Sequence, residues 1–261
     1  MSKIICIHSF RGGTGKSNVT ANLSALLAVE GRRVGVVDTD IQSPGIHVLF
    51  DLDEATIAHS LNDYLWGKCA IREAAHDVTP HLGGGIKGRV FLIPSSSKAT
   101  EIARVLREGY DVGLLRDGFQ ELIKDLALDV LLIDTHPGLN EETLLSIALS
   151  DALAIILRPD QQDYQGTGVT VEVARKLEVP RMALIVNKTP PGLDSGDLQA
   201  KVERTFACPV AAVLFHSEEM MVLGSAGLFV LRYPDHAWSA ALRQVAAELA
   251  GLTGGPLWAT N

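Results

Sequence analysis

A glycine-rich stretch near the start of the chain ends in a lysine and a serine. Residues 9–17 read SFRGGTGKS and lie between an apolar run and a segment with helical spacing. Backbone N–H groups in such a loop point at phosphate oxygens, and glycine lets a ligand approach closely. Lys16 would reach the β- and γ-phosphates, and the Ser17 hydroxyl would ligate Mg²⁺. A phosphate-binding loop is therefore predicted, with the members Gly12, Gly13, Thr14, Gly15, Lys16, Ser17 and Asn18.

Carboxylates follow two other apolar runs. The run VVDTD contains Asp38 and Asp40, and the run VLLIDTHPG places Asp134 four residues before Gly138. A buried carboxylate at a strand end is costly without a cation or hydrogen-bond donors, which favours a functional role. For Asp38 and Asp40 the alternative is a polar strand end that caps the next turn.

The rest of the sequence predicts the elements that position these residues. Short runs rich in Val, Ile and Leu alternate with longer segments of helical spacing, as expected for parallel strands covered by helices on both faces. We predict strands at Lys3–Ser9, Arg33–Asp38, Val90–Pro94, Val130–Asp134, Ala152–Leu157, Arg181–Asn187 and Val210–Phe215. We predict helices at Lys16–Glu30, Ile57–Trp66, Thr100–Leu106, Gly113–Ala127, Glu141–Leu149, Tyr164–Leu177, Asp197–Phe206 and His236–Leu252.

This alternation predicts a doubly wound α/β fold, with a mostly parallel sheet of about seven or eight strands and helices on both faces. Ligands bind such folds at the carboxyl ends of the strands. No linker or repeat divides the chain, so we expect residues 1–253 to form one domain and residues 254–261 a frayed tail. The glycine-rich segment 81–89 precedes a strand, which favours a surface loop over a second phosphate site.

The phosphate loop departs from the usual pattern G-x-x-x-x-G-K-[ST], because Phe10 occupies the first glycine position. The stretch RGGTGKS instead resembles the deviant Walker A motif K-G-G-x-G-K-[ST] of the MinD/ParA family of P-loop ATPases. The VVDTD, DTHPG and ALIVNKTP stretches also resemble the family, so the likeness extends from Lys3 to about Leu252. It implies an ATPase that dimerises around bound nucleotide and positions cargo or division machinery in the cell.

The resemblance implies a role for each candidate residue. Asp40 would position the attacking water, and Asp38 would support the Mg²⁺ shell. Asp134 would hold Mg²⁺ through water, and the Gly138 N–H would meet the γ-phosphate. Asn187 would hydrogen-bond adenine, although Asn-Lys-x-Pro is also ordinary turn chemistry.

Arg11 stands where the family has its signature lysine, which contacts the phosphates held by the partner subunit. Arginine keeps the positive charge but is a planar fork that can grip two oxygens at once. We therefore expect Arg11 to act in trans, much as an arginine finger does. Two alternatives stay open: a solvated cation with only an exposed ion pair, and a dimerisation mode that is altered or lost.

Charge and cysteine content narrow the function classes. A net charge of −8 gives no general attraction to DNA or anionic lipid, so nonspecific DNA binding has weak support. The basic candidates for it lie scattered among acids: Arg175, Lys176, Arg181, Lys201, Arg204, Arg232 and Arg243. The three cysteines form no C-x-x-C pair, which disfavours the metal-delivering branch of the family. The last helix carries one arginine and core-like apolar spacing, so it is not a membrane-targeting helix.

We expect a cytoplasmic protein, since the cysteines are sparse, the first strand begins at once and no apolar run reaches about 18 residues. The expected activity is Mg²⁺-dependent hydrolysis of ATP to ADP and phosphate. It would be coupled to homodimerisation, slow without a partner, and read by an unidentified protein. A nucleotide-gated scaffold with little hydrolysis is the main alternative. A small-molecule kinase or ligase is a third, but the sequence reveals no acceptor pocket.

Overall fold

All seven predicted apolar runs form strands in the computed structural model, which describes residues 2–249 and 259–260. The strands are β1 (Lys3–His8), β2 (Arg33–Asp38), β3 (His76–Asp77), β4 (Arg89–Ile93), β5 (Val130–Asp134), β6 (Ala152–Leu157), β7 (Arg181–Thr189), β8 (Val210–Phe215) and β9 (Ala259–Thr260). Two of these, β3 and β9, are two-residue strands that the apolar pattern does not predict.

The helices cover the segments between the strands. They are α1 (Lys16–Val29), α2 (Ile46–Leu49), α3 (Leu61–Leu65), α4 (Ala99–Glu108), α5 (Gly113–Asp125), α6 (Glu141–Ala148), α7 (Gln161–Lys176), α8 (Ser195–Phe206), α9 (Glu218–Leu223), α10 (Phe229–Arg232) and α11 (Ala237–Leu249). Among the described residues, no helix is long and apolar enough to cross a membrane.

One twisted sheet carries these strands in the order β3-β4-β2-β5-β1-β6-β7-β8. The seven long strands are parallel, while β3 runs antiparallel to β4 and β9 antiparallel to the start of β7. The chain leaves β1 towards β2 and later crosses β1 to reach β6. This reversal opens a crevice at the carboxyl end of β1, where doubly wound sheets bind ligands.

The strands are apolar on both sides because both faces of the sheet are covered. Ile5 and Ile7 of β1 point into a core formed with α1, α10 and α11. Cys6 points the other way, into a core formed with α6, α7 and α8. A third core lies on that same side, where α3 and α5 cover β2, β4 and β5.

Three segments bear on the finer sequence predictions: the helix at Ile57–Trp66, the glycine-rich segment 81–89 and the C-terminal tail. The helix predicted at Ile57–Trp66 is only α3, because Asp63 accepts a hydrogen bond from the Ser60 N–H (3.0 Å) and so fixes the start of the helix. Segment 81–89 forms a 3₁₀ turn and a loop before β4, as predicted. The tail predicted to be frayed lies mostly outside the described residues, yet Ala259–Thr260 pair with β7.

A candidate nucleotide-binding site at the carboxyl end of the sheet

The phosphate loop (residues 9–17) joins β1 to α1 and contains two left-handed glycines. Gly13 has φ 76° and Gly15 has φ 97°, and Gly15 is the N-cap of α1. A Cβ atom at position 15 would lie 2.5 Å from Asn187 Nδ2. Glycine is therefore required at position 15 both by backbone conformation and by space.

Two consecutive residues of β7 hold this loop from outside. Asn187 Nδ2 donates to the Thr14 carbonyl oxygen (2.8 Å), and Lys188 Nζ donates to the Gly13 carbonyl oxygen (2.8 Å). Lys188 has φ 54°, and the pairing of β7 with β8 shifts register between Val186 and Thr189. With both loop carbonyls bound from outside, the loop is held in its glycine-dependent shape.

Lys16 and two carboxylates meet below the loop. Lys16 is 7% exposed, and its Nζ lies 3.9 Å from Asp134 Oδ1. Thr20 Oγ1 lies 3.3 Å from Asp134 Oδ1, and the Ser17 hydroxyl lowers the pKa of Asp134 through a hydrogen bond. Asp38 is the register partner of Asp134 on the adjacent strand, so the two carboxyl groups leave the sheet side by side.

Burial makes this carboxylate pair unstable as two free anions. It raises the pKa of Asp38 well above its usual value, and the charges of Asp134 and Asp40 raise it further. Burial also raises the pKa of Asp134, and the charge of Lys16 opposes that effect. The Oδ2 atoms of Asp38 and Asp134 are buried without a hydrogen-bond partner. Oxygen atoms of this kind, with the Ser17 hydroxyl nearby, fit a hard divalent cation such as Mg²⁺.

Asp40 lies on the segment that follows β2 and contacts the segment that follows β5. Its Oδ1 accepts from His136 Nδ1 (2.6 Å) and from the Ser43 N–H (3.1 Å). The Asp40 N–H in turn donates to Asp38 Oδ1 (3.0 Å). Motif spacing assigns no role to His136, although a histidine two residues after the strand-end aspartate Asp134 is a visible signal.

Gly138 ends the segment after β5 with φ 88°. Its N–H donates to the Ser9 carbonyl oxygen (3.3 Å). A contact between this N–H and a phosphate, as the family resemblance implies, would therefore require this backbone hydrogen bond to open. The neighbouring Pro137 lies 3.8 Å from the Cβ position of Gly12, so this segment sits directly against the phosphate loop.

Arg11 lies along the start of α7 within its own chain. It donates to Gln162 Oε1, and its Nε lies 3.8 Å from Asp163 Oδ1. The Arg11 side chain is 41% exposed, whereas Asp163 is 2% exposed and is also held by Arg158. Next to it, the Phe10 ring packs on Gly166 of α7. Phe10 and Arg11, in the first half of the phosphate loop, thus pack on and bind to α7.

A cavity of about 310 Å³ opens beside the loop. Gly15, Asn18 and Asn187 line one wall, and the rest combines aromatic and sulfur-containing side chains, such as Met220 and Trp238, with small polar residues such as Ser217. The size and lining suit a flat heterocycle with a few polar contacts. The phosphate loop, Asn18 and Asn187 therefore meet in one cleft, although they lie far apart in sequence.

Two of the basic residues considered for DNA binding make hydrogen bonds within the chain. Arg175 donates to the carbonyl oxygens of Phe206 and Ala207 at the end of α8. Arg243 donates to the Pro234 carbonyl oxygen. Both arginines thus bind their own chain and do not form a free cationic patch.

Comparison with known proteins connects this geometry to a family. A model of the ParA family, described as an NUBPL iron-transfer P-loop NTPase, matches residues 1–226. The chain belongs to the ParA family. Over 253 residues this ParA-family chain is 28% identical to an uncharacterised ATP-binding protein of Methanocaldococcus jannaschii, covering 96% of the chain and 89% of that protein.

Other similar proteins carry different names. An iron–sulfur cluster carrier protein of Pyrococcus horikoshii is 30% identical over 190 residues, and the match covers 70% of this chain and 60% of the carrier. The septum site-determining protein MinD of the same species, solved with Mg-ADP, has a TM-score of 0.79 at 22% identity, covering 95% of this chain and 96% of that one. The cell division ATPase MinD of Pyrococcus furiosus has a TM-score of 0.80 at 22% identity, covering 97% and 100%. The predicted doubly wound fold is confirmed.

The thiols of this ParA-family chain are spread through the fold. Cys6, Cys69 and Cys208 are all free, and Cys6 and Cys208 are buried. Burial raises the pKa of Cys6, and it raises the pKa of Cys208 to about 11. In residues 2–249 and 259–260, no group of three or more His, Cys, Asp or Glu side chains is arranged to hold a metal ion.

Proposed function

We propose that the protein binds ATP with Mg²⁺ and hydrolyses it to ADP and phosphate. The observation that carries this proposal is the arrangement below the phosphate loop, where a buried Lys16 faces two adjacent carboxylates with unpartnered oxygens. The name of the Methanocaldococcus relative, an ATP-binding protein, and the Mg-ADP in one solved neighbour support the same ligands.

Each residue of the site would have a separate task. The loop N–H groups and Lys16 would stabilise negative charge on the phosphates. Ser17, Asp38 and Asp134 would hold Mg²⁺, which offsets phosphate charge when it is bound. Asp40 would orient the attacking water.

Recognition of the base would fall to the cavity beside the loop. There Asn187 and Asn18 would contact the adenine, between the aromatic and methionine side chains. Because Asn187 Nδ2 already binds the loop, its Oδ1 would be the atom that accepts from the base.

Residues 1–253 would act as one domain in the cytoplasm. ATP binding would change the oligomeric state of that domain. The ATP form would be a homodimer read by a protein partner that also stimulates hydrolysis, and the ADP form a monomer. Arg11 would replace the signature lysine of the deviant Walker A motif and reach the partner subunit's phosphates. To do so it must leave Gln162 and Asp163, which a half-exposed guanidinium 3.8 Å from the carboxylate can do because Arg158 continues to hold Asp163. A role in positioning a cargo or protein machine would follow from this switch.

Phosphate release and ATP-dependent dimerisation together test the proposal. Lys16→Met should abolish ATP binding and hydrolysis, while Lys124→Met, at an exposed position of α5, is the matched control and should match the wild type. Asp40→Ala should still bind ATP but hydrolyse it about a hundredfold more slowly. Hydrolysis that survives Lys16→Met would refute the site, and binding without hydrolysis in the wild type would leave the nucleotide-gated scaffold. Release of phosphate without an acceptor counts against a kinase or ligase.

Iron–sulfur cluster carriage is the second candidate function. The family description and the Pyrococcus carrier favour it. Thiolates bind such clusters, commonly four per cluster, and Cys69 alone among the three cysteines is not buried. A dimer would bring two Cys69 thiols, so the rest of the ligands would come from a partner or from small thiols.

Anaerobic reconstitution with iron and sulfide would test carriage. A cluster absorbance that is present in the wild type and absent in Cys69→Ser, but kept in Cys208→Ser, would support it. Wild-type protein that acquires no absorbance, with or without ATP, would exclude it.

A further inference from the structure

We propose that His136 is a positioning residue for ATP hydrolysis: its Nδ1–H fixes one oxygen of Asp40 so that the other is presented to the reacting water. This inference rests on the proposed ATPase function and deepens it. The contact joins two segments that follow neighbouring strands, β2 and β5. None of the residue roles that the family resemblance implies involves position 136.

The direction of the hydrogen bond follows from its chemistry. A carboxylate only accepts, so the 2.6 Å contact between His136 Nδ1 and Asp40 Oδ1 requires the proton on Nδ1. Asp40 Oδ1 also accepts from the Ser43 N–H, while Oδ2 accepts no hydrogen bond within residues 2–249 and 259–260. One oxygen is thus held by two donors, and its twin is left for a ligand or water.

His136 is itself held by the framework of the site. Its carbonyl oxygen accepts from Thr143 Oγ1 (3.3 Å) at the start of α6. Thr135, just before it, and Gly138, two residues after it, bind β1 and its extension: the Thr135 N–H donates to the Ile7 carbonyl oxygen, and the Gly138 N–H donates to the Ser9 carbonyl oxygen. The imidazole is therefore carried on a segment tied to the same strand that positions the phosphate loop.

Partial burial protects the hydrogen bond between His136 and Asp40 from competition by water. The side chains of His136 and Asp40 are 22% and 14% exposed, respectively. A hydrogen bond to a carboxylate with little solvent around it is stronger and more directional than an exposed one. Without it, Asp40 would keep only the Ser43 N–H and could turn its carboxyl group away from the site.

The two amide replacements of histidine separate a positioning role from a structural one. The side-chain amide introduced by His136→Asn would place its donor near the Nδ1 position, whereas that of His136→Gln would lie near Nε2. We expect His136→Ala and His136→Gln to lower kcat about tenfold or more and to change the affinity for an ATP analogue by less than about twofold. His136→Asn should restore kcat to within about threefold of the wild type. His81→Ala, which removes another Nδ1 hydrogen bond far from the site, is the control.

A second readout does not depend on turnover. In ¹⁵N-labelled protein, the His136 ring should show a protonated Nδ1 with a downfield proton, and Asp40→Asn should shift that signal. If kcat is unchanged in His136→Ala, or if His136→Asn is no more active than His136→Gln, the inference is overturned. If the signal does not respond to Asp40→Asn, the contact itself is absent and the inference also fails. Wild-type protein that shows the signal but neither binds nor hydrolyses ATP would instead refute the proposed function.

Discussion

Replacing Gly166 of α7 by alanine should destabilise the protein, although alanine is normally the better helix residue. A Cβ atom at position 166 would lie 2.2 Å from Phe10 Cδ1, 2.4 Å from Cγ and 2.7 Å from Cβ. Rotating the ring cannot relieve the contact with Phe10 Cβ, so the backbone of the phosphate loop or of α7 must move. Gly168 in the same helix meets only Phe206, at 3.8 Å, and is the matched control.

The two variants should differ in sign. Alanine in place of a helix glycine stabilises by about 1 kcal/mol, and forcing extra volume into a packed site costs about 1–3 kcal/mol. Gly166→Ala should therefore lose up to about 2 kcal/mol net, whereas Gly168→Ala should gain up to about 1 kcal/mol. Because Phe10 precedes the loop glycines, Gly166→Ala should also weaken ATP binding.

Urea unfolding of both variants, alone and in a Phe10→Ala background, measures these effects. In the Phe10→Ala background the alanine at position 166 should become neutral or stabilising, since the clash has gone. The reasoning is refuted if Gly166→Ala unfolds at or above the wild-type urea midpoint, or if removing the Phe10 ring leaves its cost unchanged.

Four further variants have expected outcomes that follow from the site. Burial, with the charge of Lys16, lowers the pKa of His8 from 6.5 to about 3, so only the unfolded chain takes up this proton as the pH falls. The free energy of unfolding should drop by about 2 kcal/mol more in the wild type than in His8→Gln on going from neutral pH to about pH 5; parallel curves from urea titrations would contradict this. Arg158→Ala leaves a buried carboxylate short of its bidentate partner and should cost about 2 kcal/mol in the same assay. Arg11→Ala should cost under about 1 kcal/mol, because Arg11 lies 3.8 Å from the same carboxylate and makes no bidentate contact with it; equal losses would contradict this ranking by geometry. Asn187→Ala should weaken ATP binding about tenfold and reduce discrimination against GTP in competition with a fluorescent analogue; an unchanged ATP-to-GTP ratio would limit Asn187 to holding the loop.

The sheet was predictable because its strands are buried on both faces. A run such as VLLID has no polar face, so its identity as a parallel strand is clear from the sequence. The two-residue strands β3 and β9 have no such pattern, since they are defined by pairing at the sheet edge. The start of α3 was misplaced because the Ser60–Asp63 hydrogen bonds, not apolar spacing, set where that helix begins.

The sequence predicts which residues form the candidate site better than it predicts which of their side chains are in contact. The spacing of the loop residues indicated a phosphate site, and the structure brings Asp38, Asp40 and Asp134 beside it. Sequence spacing does not show which side chains meet across the sheet, so the His136 contact with Asp40 was missed. The same holds for Arg11, whose charge was evident but whose contacts on α7 depend on how the loop packs.

The left-handed backbone at Lys188 accounts for the way β7 holds the phosphate loop. Successive side chains of a regular strand point to opposite faces, so two neighbours cannot both reach the same loop. The φ angle of 54° at Lys188 cancels that alternation for a single step. Asn187 and Lys188 can therefore both donate to carbonyl oxygens of the same loop. A left-handed non-glycine residue costs about 1–2 kcal/mol, which the two carbonyl contacts offset. The shape of the phosphate loop thus depends on one left-handed residue that breaks the regular alternation of β7.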